Sequence, residues 1–249
     1  MSTTASTIAL CFANVTKRYG TAAALKDFSL DVTAGQTFGL VGMNGAGKTT
    51  LIKCLLDFTD ADSGAIEIFN TSNRITRSRA CLAFLPERFN PPYYLKGKDF
   101  LHYMLDLQEV PYRQEEAERM LAALDLDLSA LAKPVRAFSK GMTQKLGLAA
   151  CLLSRKALYV LDEPTSGLDP KARALLKRQL RAERDDGRTI FLTSHALADV
   201  EELCDSMAVI HRGELRFAGT PADLRARHSA DSLEQAFLAC IEDDIRLAA

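Results

Sequence analysis

Thr37-Phe-Gly-Leu-Val-Gly42-Met-Asn-Gly-Ala-Gly-Lys-Thr49 is the stretch on which the fold turns. Its first five residues read as a strand, the next eight have the spacing GxxxxGK followed by a hydroxyl residue, and Thr50 to Leu56 continues as a helical pattern. A strand that passes through glycines into a helix N-terminus makes a cradle for phosphate. Gly42, Gly45 and Gly47, with Asn44 and Ala46 between them, let the backbone curl its N–H groups inward, and the helix dipole adds positive potential over Lys48, Thr49 and Thr50. In such a loop Lys48 is expected to reach the β and γ phosphates of a nucleotide, and the Thr49 hydroxyl to ligate Mg²⁺. A glycine-rich turn without a ligand is the competing explanation, and the flanking strand and helix weigh against it.

Downstream, Ala157-Leu-Tyr-Val-Leu161 is an apolar strand that delivers Asp162 and Glu163 at its C-terminal end, where open α/β sheets bind ligands. Asp162 is suited to hold magnesium and Glu163 to act as general base on a water attacking the γ phosphate. A lone Asp-Glu would more simply be a solvated turn. The phosphate loop and the apolar strand before the pair favour the catalytic assignment.

Around these motifs the texture of the chain changes twice. Up to about Pro86 it alternates β-rich runs with turns, at Ile8–Val15, Ser29–Val32, Thr37–Val41, Ala65–Phe69 and Cys81–Leu85. From Pro91 to Leu153 helical patterns take over, with Lys98–Leu107 apolar at helical spacing and Pro111 expected to open an amphipathic helix running through Leu121 and Leu124. The strands Leu158–Leu161 and Ile190–Thr193 then alternate with the helix Pro170–Arg184, the succession of a covered parallel sheet. Met207–Ile210 and Glu214–Ala218 read as a hairpin through Arg212-Gly213, Thr220-Pro221 caps a short helix, and a last helix starts at Ser232 with Gln235 completing a capping box. The expected fold class is α/β, a phosphate-loop NTPase core with a parallel sheet, an antiparallel β subdomain and an inserted α-helical subdomain. One domain over 1–249 would comprise a core at 1–87 and 155–220, the helical insertion at 88–154 and a C-terminal extension at 221–249.

Composition narrows the classes. The 31 Lys and Arg residues nearly cancel the 32 Asp and Glu residues, so no strong overall field favours nucleic acid. The six cysteines are scattered without a CxxC pair, as expected of reduced core thiols. Met1–Ala9 lacks the basic start and long apolar run of a secretory signal, and Leu146–Leu153, the longest apolar run, falls far short of the ~20 residues that span a bilayer. Any membrane role is expected to come through a partner.

Phosphate loops serve many chemistries, and further residues separate them. From Ile8 to Gly219 the chain resembles the ATP-binding-cassette family, the nucleotide-hydrolysing subunits of ABC transporters. Phe138-Ser-Lys-Gly-Met-Thr-Gln144 is similar to its signature sequence, and Asp162-Glu-Pro-Thr-Ser-Gly-Leu-Asp169 to its acidic motif running into the D-loop. His195, after Thr193-Ser194, matches the switch histidine, and Tyr19 sits where the family places an aromatic against adenine. The resemblance implies ATP and Mg²⁺ as cofactors and a head-to-tail dimer with a second copy of the chain. In that dimer Ser139 and Gly141 of each signature cap the γ phosphate held by the other copy. It also implies separately encoded membrane permease subunits, and a cytoplasmic, peripheral position on the inner face of the membrane. Physically, Ser139 and the Gly141 N–H at a helix start form a second anion site, which a partner's ATP would fill. His195 alone would be an ordinary loop histidine and Tyr19 alone a packed turn residue.

Two departures stand out. Glu87 in Leu85-Pro-Glu87 occupies the place of a glutamine, where a carboxylate can still coordinate magnesium but adds negative charge. Lys140 and Met142 replace a glycine and a glutamine of the commonest signature. Both changes resemble exporter-type cassettes that pair with ABC-2-type permeases. A soluble cassette ATPase of an assembly system, such as iron–sulfur cluster biogenesis, is the alternative. A DNA-repair or translation cassette is disfavoured by the lack of a long coiled coil and of basic charge. The stretch Phe89, Tyr93, Tyr94, Leu95, Phe100 and Tyr103 either packs the helical lobe or faces a membrane partner. The Ser232–Ala249 helix has a spacing that suits a dimer brace, a partner contact or a packed terminus.

Overall fold

The computed structural model describes residues 7–247; residues 1–6 of the Met1–Ala9 stretch and residues 248–249 of the last helical segment lie outside the described residues. The chain forms two compact units, Met1–Cys81 with Thr189–Ala249 and Leu82–Arg188. The first opens with β1 (Ile8–Tyr19), β2 (Ala22–Thr33), β3 (Thr37–Val41), α1 (Lys48–Leu55), β4 (Ser63–Ile68), β5 (Thr71–Ser72) and α2 (Thr76–Arg79). The second holds β6 (Leu82–Leu85), α3 (Gly97–Asp106), α4 (Gln114–Ala123), α5 (Lys140–Leu153), β7 (Leu158–Asp162) and α6 (Pro170–Asp185). The chain then completes the first unit with β8 (Thr189–Ser194), α7 (Leu197–Leu203), β9 (Ser206–His211), β10 (Glu214–Gly219), α8 (Pro221–Arg227) and α9 (Leu233–Leu247).

In the first unit β2, β1, β4 and β5 form an antiparallel sheet in that order. β1 and β2 run well past the amphipathic segments that announce them. Their pairing continues through irregularities at which Asn14 and Asp27 adopt left-handed backbone, and these interrupt the alternation by which a strand is read. Asn14 donates its N–H to Ser29 Oγ at 2.9 Å, and the Ser29 hydroxyl donates to Asn14 Oδ1 at 2.7 Å, fixing the register there. A second group of strands pairs β3 in parallel with both β8 and β9, and β9 antiparallel with β10. Every residue of β3 and β8 is buried, which explains the apolar centres Phe38–Val41 and Ile190–Leu192, each preceded by a buried threonine. Phe12 of the antiparallel sheet lies edge-on to Phe28 and 6.4 Å from Phe191, which stacks on Phe38 at 6.0 Å, so one aromatic cluster joins the two sets of strands. At Gly39 a Cβ would come within 2.8 Å of Cys204 Sγ, which marks how closely α7 and the residue after it approach β3.

The β9–β10 turn places Arg212 and Gly213 both at positive φ, the tight hairpin expected of that dipeptide. Thr220 and Asp223 form the capping box of α8. At α9 the reciprocal bond is displaced: Ser232 Oγ accepts the Gln235 N–H, but Gln235 Oε1 accepts from Asp231 rather than from Ser232. Leu233, Ala236, Phe237, Cys240 and Ile241 are buried, and the helix lies against α7, α8, β9 and β10.

In the second unit β6 and β7 pair in parallel, and α5 is buried continuously from Gln144 to Leu153. Gly147 is a close-approach site, with a Cβ there 2.8 Å from both Leu85 and Phe89. Phe89 in turn meets the buried Phe100 edge-on. The aromatic stretch therefore divides: Phe100 packs the lobe, whereas Tyr93, Tyr94 and Tyr103 are 67%, 69% and 49% exposed. Helix α4 starts at Gln114, later than Pro111 suggested. Arg113 is extended, and Tyr112 is held before the helix by its hydroxyl on Gln114 Oε1 and its ring against His102. All six cysteines are free thiols, and burial raises the pKa of Cys151 to about 12.

Candidate active site

Parallel pairing sets what leaves each sheet edge. In the first unit Val41 is opposite Ser194, so the glycine-rich loop and His195 depart from the same edge of β3 and β8. Gly45 and Gly47 both have positive φ, and Gly47 is the N-cap of α1 without a side-chain hydrogen bond. The first turn of α1 holds no acidic residue. Lys48 is 7% exposed and donates to the Gly42 carbonyl at 2.5 Å and the Met43 carbonyl at 3.4 Å. Its ammonium thus folds back over the loop it would share with a phosphate. Asn44, Gly45 and Thr49 are exposed, Thr50 is half-buried, and Gly42 and Ala46 are buried. Uncapped helix N–H groups, left-handed glycines and an inward-held ammonium fit a polyphosphate. His195 is exposed just past β8, and Ser194 Oγ accepts the Ala196 N–H to tighten the turn around it. Tyr19 closes β1 with its ring 51% exposed and the Lys17 ammonium 5.5 Å from its centroid.

In the second unit Leu85 is opposite Leu161, so Glu87 and the acidic pair leave one edge of β6 and β7. Asp162 and Glu163 are 4% and 6% exposed, while Glu87 is exposed. The carboxylate oxygens of Asp162 and Glu87 are of the kind that suits a hard divalent ion such as Mg²⁺. Glu163 has φ of 50°, a backbone that a side chain adopts only under constraint. The constraint is visible: its carbonyl accepts the Ser166 N–H, and the next carbonyl, that of Pro164, accepts from the buried Gln144 of α5 at 3.4 Å.

Ser139 is the N-cap of α5, its Oγ accepting the Met142 N–H at 3.2 Å. Gly141 follows, and a Cβ there would meet only the Gly167 carbonyl, at 3.3 Å. Lys140 packs its stem against Gly167. The signature and the segment after Glu163 are therefore one assembly. Asp169 N-caps α6 through the Ala172 N–H at 3.0 Å, a bond that holds its carboxyl below the usual carboxylate range. The links through Gln144, Lys140 and Gly167 were not legible as functional. No spacing rule connects the start of a helix to a turn that follows it by more than twenty residues.

The family model described as ABC transporter matches residues 25–166. The chain belongs to the ABC transporter family. An uncharacterized ABC transporter ATP-binding protein of a Synechocystis strain is 39% identical over 80% of this chain and 57% of its own length. The Nod factor export ATP-binding protein I of Mesorhizobium japonicum is 36% identical over 90% of this chain and 67% of its own. The chain spans about three fifths of the length of the first of these cassette relatives. Among solved structures, an ATP-binding subunit of an ABC transporter superposes with a TM-score of 0.82 at 28% identity, covering 93% of this chain and 98% of the other. A bacterial cassette solved as a dimer gives 0.76 at 20% identity, covering 85% and 98%, which establishes the cassette fold alone. Among the described residues no helix is long and apolar enough to cross a membrane.

Proposed function

We propose that the chain is the ATP-binding and ATP-hydrolysing subunit of an ABC exporter, acting as a head-to-tail dimer on separately encoded permease subunits at the inner face of the membrane. The observation that carries this is the parallel register that sends the glycine-rich loop and His195 from one edge, combined with a buried Asp162-Glu163 pair at the end of β7. Gly42, Asn44, Gly45, Ala46, Gly47 and Thr50 wrap the phosphates with backbone N–H groups, and Lys48 neutralises them. Tyr19 offers a ring face to adenine. Thr49, Asp162 and Glu87 would hold Mg²⁺, which when bound would neutralise charge on the phosphate oxygens. Glu163 accepts the proton of the attacking water, and His195 donates a hydrogen bond to the phosphate being cleaved. Ser139, whose oxygen already caps α5, turns its O–H with the Gly141 N–H toward the ATP of the second copy.

Export is supported by the Mesorhizobium relative, whose name is that of an export protein, and by the departures at Glu87, Lys140 and Met142. Dimerisation is supported by the cassette neighbour solved as a dimer. The helical lobe at 88–154 serves as the part that meets the permease, through the exposed pair Tyr93 and Tyr94, whose rings stand edge to face at 5.7 Å.

The test is a pull-down from solubilised membranes with a Glu163→Gln variant, which keeps ATP bound and the dimer closed. Recovery of a polytopic membrane protein, lost when Tyr94→Ala is added, is the expected result. Recovery of soluble proteins alone would replace this reading with the assembly-ATPase alternative.

A further inference from the structure

The underside of the glycine-rich loop rests on a hairpin far away in sequence. Gly213, at the tip between β9 and β10, donates its N–H to the Ala46 carbonyl at 2.9 Å and accepts the Lys26 N–H of β2 at 2.9 Å. Three glycines meet on this floor. A Cβ on Gly42 would stand 2.5 Å from the Ile210 carbonyl oxygen, and Cβ atoms on Gly47 and Gly213 would each stand 2.7 Å from the Ala24 carbonyl oxygen. The side chain of Ile210 fills the same floor, 2.9 Å from the Cβ position of Gly42 and 3.2 Å from that of Gly47. The Lys26–Glu214 ion pair at 3.0 Å ties the tip to β2.

We infer that the β9–β10 tip is a positioning device for the nucleotide loop, with Gly213 as its key residue and Ile210 as its support. In a planar trans peptide the carbonyl of one residue and the N–H of the next point in opposite directions. Holding the Ala46 carbonyl down on Gly213 therefore aims the Gly47 N–H up, into the cradle. Without that bond the peptide flanked by Gly47 is free to rotate, because glycine tolerates both orientations, and the rotated form turns an oxygen toward the phosphates. The brace removes that alternative before ligand arrives, which lowers the ordering cost of binding. Gly213 is suited to the task because its φ of 81° and its 2.7 Å approach to Ala24 each exclude a side chain.

The inference rests on the assignment of residues 42–50 as the nucleotide loop, and the experiment separates the two. ATP–Mg²⁺ affinity and hydrogen–deuterium exchange of residues 42–49 without nucleotide are measured for the full chain and for Gly213→Ala. The expected result is a rise of about tenfold in Kd and faster exchange in the loop, with turnover at saturating ATP kept within about twofold. Gly187→Ala is the control, since Gly187 has φ of 87° and open space around its Cβ position and so imposes similar backbone strain away from the loop. Unchanged affinity and exchange in a folded Gly213→Ala protein would overturn the brace, and so would an equal loss in Gly187→Ala. If the parent chain binds no ATP, the loop assignment fails, while loop exchange alone still decides the brace. Should Gly213→Ala not fold, Ile210→Val decides: a Kd raised about threefold with faster loop exchange supports the support role, and no change in either refutes it.

Discussion

In the first unit, the edge formed by β3 and β8 presents its ligand groups mainly through backbone, left-handed glycines and an uncapped helix start, with the side chains of Lys48 and His195 beside them. In the second, the edge formed by β6 and β7 presents side chains: two nearly buried carboxylates, one of them on strained backbone, and an exposed third. A phosphate chain is recognised by many weak donors in a fixed curve, which a backbone supplies without losing side-chain entropy. Proton abstraction needs a group of suitable pKa, and Mg²⁺ is well matched by anionic oxygen, both of which side-chain carboxylates supply. The consequence is a difference in how each edge fails. The second should lose chemistry to an isosteric change that leaves its shape intact, and the first should lose binding to the addition of one methyl group.

The largest effect is expected at Glu163. Glu163→Gln keeps the shape and removes the base, so hydrolysis should fall roughly 10²–10³-fold while the Kd for ATP changes by less than about threefold. Phosphate release and equilibrium ATP binding measured on the same preparation check both halves. Turnover at the parent rate would mean that the second edge does not act through this carboxylate.

Next comes Gly47→Ala, the corresponding test of the first edge. Its φ of 117° and the 2.7 Å approach to the Ala24 carbonyl leave no room for a methyl group. Affinity for ATP should drop by about tenfold or more, with a stability cost of about 1–3 kcal/mol from the forced backbone. Calorimetric titration and urea unfolding read the two quantities. Normal binding would show that the loop's curvature is not what holds the phosphates.

These two edges were also read from the sequence with unequal success. Thr37–Val41 was legible to the residue because its buried run from Phe38 to Val41 leads directly into the glycine-rich loop. Asp162 and Glu163 were legible because they interrupt such a run. The outer halves of β1 and β2 were not, since the buried Leu25 and Phe28 fall three apart across the left-handed Asp27 instead of alternating, and Pro111 misled because the packing of Tyr112 on His102 outweighed the preference of proline for a helix start. The bond from Gly213 to Ala46 was invisible for a deeper reason. It joins two backbones, so no side chain records it, and only the glycine at the turn hints that something approaches closely.

A third prediction asks whether the second edge depends on its supporting interior. Tyr159, in the middle of β7 and fully buried, donates its hydroxyl to Glu183 Oε2 of α6 at 3.0 Å, and Arg188 pairs with the same oxygen at 3.0 Å. Burial raises the pKa of Glu183 despite that cation, so its carboxylate already bears a desolvation cost. Tyr159→Phe removes one of its donors and should cost about 1–2 kcal/mol in urea unfolding. Hydrolysis per folded molecule should not change, because the hydroxyl supports the strand rather than the reacting atoms. A loss of turnover at full folding would instead make the interior of β7 part of the chemistry.

The smallest effect is expected at Tyr19, whose side chain is assigned to the base rather than to the phosphates. Its ring is half-exposed at the end of β1 and is shared with the Lys17 ammonium, so a stacked base would gain only the lower end of the usual ~1–3 kcal/mol. Tyr19→Ala should therefore raise the Kd for ATP by about fivefold, and Tyr19→Phe should restore it. Stacking reads a π face and not the edge of a base, so the same substitution should weaken GTP by a similar factor and leave the ATP-to-GTP ratio unchanged. A Tyr19→Ala loss as large as that of Gly47→Ala would break the contrast between the edges, because side-chain stacking would then rival the backbone cradle. A loss confined to ATP would sharpen it differently, requiring a hydrogen bond to the adenine edge from a residue not yet assigned to the site.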